Sequence, residues 1–153
     1  MARHLHPLLG GMVLGLIVSF WLATLVSELF GTPETVAWVK TAIPWGFLLL
    51  VPALAAAGGT GTWLAGRRSA RLLDAKQRRL RWAALNGLGV LMPAAFFLAA
   101  KARVGAFDGV FYAVQSIELI AGALNIALLT LSARDGLRLS GRLRAGVTVA
   151  DRR

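Results

Sequence analysis

The sequence predicts an all-α integral membrane protein, with four transmembrane helices in an up-down-up-down bundle and both N-terminus and C-terminus cytoplasmic. Three observations predict it. Four apolar stretches, at about residues 7–30, 36–64, 83–100 and 110–133, each approach or exceed the roughly 20 residues that span a hydrocarbon core about 30 Å thick. Charged residues make up only 16% of the 153, too few for a water-soluble surface of that size. Finally, fourteen of the seventeen Lys and Arg residues sit at Arg3, between Arg67 and Arg81, or from Arg134 onward. Basic flanks resist translocation, so all three places are assigned to the cytoplasm.

The same distribution explains the net charge of +10 without nucleic acid, and anionic lipid headgroups are the expected counterpart. The absence of cysteine excludes disulfide exchange, thiolate catalysis, Cys-ligated zinc and iron–sulfur clusters. The apolar run after Pro7 exceeds a signal-peptide core, so the first helix reads as a retained anchor. Heavy use of Ala, Gly, Leu and Arg suggests a bacterial genome, and with it the inner membrane. One four-helix domain is expected over residues 1–140, with a basic cytoplasmic tail over 141–153.

Helix one carries two lines. His6, Gly10, Ile17, Trp21, Thr24 and Glu28 form one, with Glu28 at the outer end. Gly11, Gly15 and Ser19 form a small-xxx-small line, which lets another backbone approach closely. Helix two contains Pro44 and Pro52, where kinks are expected, and Lys40 a little over one turn from its outer end. A basic inner loop over 66–81 follows, long enough for a short amphipathic helix. Arg67, Arg68, Arg71, Arg78, Arg79 and Arg81 are its candidate headgroup ligands. Helix three offers Asn86, placed to meet Asn125 across the bundle, and a further kink at Pro93.

Helix four has the sharpest pattern. At about 100° per residue, Asp108, Phe111, Tyr112, Gln115, Glu118, Gly122, Asn125 and Ser132 fall on one side. Glu118 lies about two and a half turns below the outer end, where an ionised carboxylate costs roughly 2.5 kcal/mol or more. It must be protonated, paired or wetted. Lys40 supplies a pair, and Gln115, Tyr112 and Asn125 supply hydrogen bonds to a ligand or to neighbouring helices. Trp21, Trp45, Phe20, Phe47, Phe111 and Tyr112 are candidates for an aromatic pocket beside Glu118.

Catalytic patterns are missing: there is no nucleophile elbow, no phosphate-binding loop and no histidine within the apolar stretches. His4 and His6 precede helix one without an acid cluster to complete a metal shell, so no metal and no cofactor is predicted. Haem on His6, or a quinone in the aromatic pocket, ranks as the third reading, a redox subunit. The first is a non-enzymatic accessory or scaffold subunit, partnered by other membrane subunits or by its own copies. The second is small-molecule binding or proton-coupled transport through Glu118.

Overall fold

The computed structural model describes the backbone of residues 2–65 and 71–139, with side chains over 6–60 and 77–137. The expectations for Arg67, Arg68 and the tail 141–153 fall outside the described residues, as do those for the side chains of His4 and Arg71. Every described element is helical: α1 (Ala2–Phe30), α2 (Pro33–Ala65), α3 (Arg71–Asn86), a π turn (Gly87–Leu91), α4 (Met92–Arg103) and α5 (Gly109–Leu139). No strand occurs among the described residues. Four segments are long and apolar enough to cross a membrane: His6–Phe30, Pro33–Thr60, Gln77–Arg103 and Gly109–Leu137.

The element ends follow from local chemistry. Thr32 precedes α2 and receives the Thr35 N–H on its hydroxyl at 3.4 Å, with Pro33 and Glu34 in the first turn. Asp108 opens α5 by accepting the Phe111 N–H at 2.9 Å. Helix α4 closes with a left-handed Gly105 at φ 68°. There the Gly105 N–H donates to Ala102 O, and the Ala106 N–H to Lys101 O, the paired bonds of a Schellman end.

Two expectations about continuity change. The segment 66–81 is not a loop up to Trp82: helix begins at Arg71 and runs into the third span. Its Arg, Leu, Ala, Lys and Gln residues are good helix formers, and Arg79 anchors it to Asp135 of α5 at 2.5 Å. In α2 the helix continues through both Pro44 and Pro52. An irregularity appears in the third span, ahead of Pro93, where the sequence predicts a kink. Proline has no N–H for the Gly89 carbonyl four residues back, and the backbone widens there. Met92 N–H consequently donates to Gly87 O, five residues back.

Helix α2 packs between α1 and α4, while α5 packs on α1, α3 and α4. Val13, Ile17, Leu50 and Ala53 join α1 to α2, and Val39, Ile43 and Ala95 join α2 to α4. Val36, Leu98, Ala102 and Phe111 close the end that carries the 31–32 and 104–108 connections, called the loop end below. Away from these contacts, large apolar side chains face outward, including Leu48, Leu85, Ile117 and Ile120. Such a surface suits hydrocarbon rather than water.

Candidate functional site

Of the eight buried polar residues described, five (Thr24, Ser27, Lys40, Gln115 and Glu118) lie in the half of the bundle nearest the loop end. Lys40 is carried inward because Val36, Val39 and Ile43, its neighbours on the same helix face, are themselves buried. Its ammonium is 1% exposed and donates to Glu118 Oε2 at 2.5 Å. By helix rise, Lys40 lies about 10 Å and Glu118 about 13 Å along the axis from the loop end. Removing two charges from water is costly, and each is the other's compensation.

Glu28 approaches the same pair from α1. It is half-buried, close to the end of its helix, and within electrostatic reach of both Lys40 and Glu118. Gln115 lies one turn from Glu118 on α5 and is 3% exposed. Among the described residues, neither its amide nitrogen nor its amide oxygen has a hydrogen-bond partner, and the same holds for Glu28 Oε1 and Asn125 Oδ1. Polar atoms left so inside a bundle carry a desolvation cost with nothing to offset it.

The inward face of α5 is narrower than the helical projection suggests. Phe111, Gln115, Glu118, Gly122, Asn125 and Ser132 are buried, but Tyr112 is 51% exposed. Tyr112 sits about 120° round from Glu118, at the border of the face. Its ring stands edge-on to Phe111, and it makes no part of the cluster. Trp45 also points outward, while Phe20, Phe47 and Phe96 stack edge to face. The aromatic residues therefore pack helices together instead of lining one pocket by Glu118. Trp21 illustrates this: its indole N–H donates to Leu119 O at 2.9 Å and its ring rests on Gly122.

Other candidates divide in the same way. Gly122 is used inside the bundle, but Gly11, Gly15 and Ser19 are exposed, and a Cβ added at either glycine would meet nothing within 4 Å. Asn86 donates to Ala121 O at 2.8 Å, one turn from Asn125, so the expected Asn86–Asn125 bond is replaced by a backbone contact. Arg79 is ion-paired with Asp135, whereas Arg78 and Arg81 are exposed. His6 Nδ1 bonds Thr60 Oγ1 at 3.1 Å and ties the start of α1 to α2. No group of three metal-ligating side chains occurs among the described residues.

Sequence reasoning missed the Arg79–Asp135 pair and the capping role of Asp108. The second had a legible signal: Asp-Gly directly before an apolar run. At the surface, Lys101 donates to both carboxylate oxygens of Asp108, at 2.7 and 2.6 Å. That bond, followed by the Phe111 N–H, holds the Asp108 carboxyl below its ordinary range.

The buried cluster thus consists of two carboxylates, one ammonium and one amide on three helices. Its chemistry is charge compensation and the uptake or release of protons. Comparison with protein families, with curated proteins and with solved structures returned no match to this chain.

Proposed function

We propose that this chain is a non-enzymatic, multi-pass membrane protein acting as an accessory or scaffold subunit beside a larger membrane assembly. One observation carries the reading: Gly11, Gly15 and Ser19 form an exposed strip of small residues on α1, with nothing among the described residues packed on either glycine. In a bilayer, helices associate through close backbone approach at small residues, and this strip offers it. The closed Lys40–Glu118 pair supports the same reading, since the deepest acid already has its partner.

In this proposal the four spans run up-down-up-down in a bacterial inner membrane, with the loop end outside and both termini in the cytoplasm. The asymmetry of the basic residues supports that orientation. Arg78 and Arg81 face anionic headgroups, and residues 1–140 form one domain followed by a basic tail.

The test is native extraction in a mild detergent, followed by the mass and the visible spectrum of the particle. A heavy complex with other polypeptides supports the accessory role, and Gly11→Leu is expected to release the chain from it while leaving the isolated fold intact. A monomer would overturn the reading. A Soret band would replace it with a haem protein using His6. Small-molecule or proton-coupled transport is the second reading, favoured by the unpartnered Gln115 amide beside Glu118.

A further inference from the structure

We propose that Glu28, Lys40, Glu118 and Gln115 form a binding site for one exchangeable proton, loaded from the loop end of the bundle. Glu118 of α5 is ion-paired with Lys40 of α2, and Glu28 of α1, with its Oε1 buried and unpartnered among the described residues, lies within electrostatic reach of both. With both acids ionised the cluster carries a net negative charge in a region walled by Val36, Leu98 and Phe111. Uncompensated charge is strongly disfavoured there, and a single proton on either carboxyl removes it.

Among the described residues, no other group supplies the missing positive charge. The described residues that α4 buries are Ala94, Ala95, Leu98, Ala99 and Ala102, none of them titratable. Lys101 is engaged with Asp108, and Arg103 and Glu34 are exposed. Tyr112, the other titratable side chain near the cluster on α5, turns outward.

Gln115 is the second, independent observation. It is a fully buried amide whose oxygen has no donor among the described residues. A carboxylate cannot provide one, because an ionised acid only accepts hydrogen bonds. A protonated carboxyl carries an O–H, the kind of donor that Gln115 Oε1 lacks, and Gln115 lies one turn from Glu118 on α5. One proton thus removes the excess charge and adds a donor to a cluster whose amide oxygen has none.

Burial sets the direction of loading. Glu28 is only partly buried and about 3 Å from the end of α1, while Glu118 lies deeper and is 9% exposed. Hydronium at the loop end gives its proton to a Glu28 carboxylate oxygen: an O–H bond forms, water leaves, and no electron changes owner. Transfer onward to Glu118 moves the same proton from the acid nearer the loop end to the acid paired with Lys40. This inference concerns the charge state of the cluster and stands apart from the accessory role.

The experiment is infrared spectroscopy of the full chain in lipid nanodiscs, reading the carbonyl stretch of protonated carboxyl groups near neutral pH. The wild type is expected to show one such band, shifted in D2O because the proton exchanges. Glu28→Gln and Glu118→Gln are each expected to abolish it, since each leaves a single acid to balance Lys40. Lys40→Met is expected to double it. Absence of the band in wild-type protein at neutral pH overturns the proposal, as does a band unchanged by both Gln substitutions. If Glu118→Gln fails to fold, the wild-type band and its response to the milder Glu28→Gln still decide the matter.

Discussion

Lys40 and Glu118 show how one contact outweighs many at the residue scale. Each alone is a charge the bilayer rejects, so removing Lys40 forces Glu118 to take up a proton and strips it of its buried donor. Lys40→Met is expected to destabilise the fold by about 3–5 kcal/mol, and pairing it with Glu118→Leu to recover much of that loss. Unfolding in mixed detergent micelles measures both. Gly105 holds a left-handed conformation at the end of α4, so Gly105→Ala is expected to cost about 1 kcal/mol in the same assay. Asp108 gives a pH dependence. Its folded-state carboxyl is held below the ordinary value by Lys101 and the Phe111 N–H, so its contribution is present above the ordinary aspartate range. That contribution is lost as pH falls through the folded value. Asp108→Asn is expected to flatten this acid limb of the stability profile without changing its neutral plateau's slope.

At the scale of elements, two glycine faces separate packing within the chain from packing outside it. Gly122 lies against the Trp21 ring, so Gly122→Leu is expected to push α1 from α5 and destabilise by roughly 1–3 kcal/mol. Gly11→Leu meets open space and is expected to leave the unfolding midpoint unchanged while weakening association with any partner. The third span makes a different point. Proline positions were readable in the chain, and so was the irregularity at Pro93, but not the form it takes. Pro44 and Pro52 sit inside an unbroken α2, whereas Pro93 follows a π turn whose backbone bonds shift by one residue. Which response a helix makes depends on the neighbour it must keep in register. Here Asn86 holds α3 to Ala121 and Arg79 holds it to Asp135 on either side of Trp82.

For the whole molecule, the testable claim is orientation. The chain lacks cysteine, so single cysteines introduced at Gly31 and near residue 150 report sidedness without background. Membrane-impermeant labelling of intact cells is expected to reach the first and to reach the second only after permeabilisation. Much of the architecture was legible because bilayer thickness acts directly on sequence: it demands about 20 apolar residues per span and excludes charges from them. Helical class, number of spans, and Lys40 as the partner available to Glu118 all follow from that constraint. Tertiary structure decided what periodicity alone leaves open. It turned Tyr112 and Trp45 outward, brought Glu28 to the Lys40–Glu118 pair, left Gln115 without a partner, and kept the Gly11–Gly15 strip on the outside. The reason is geometric: a helical projection gives each residue an angle on its own helix. Only the neighbouring helices determine which angles are buried.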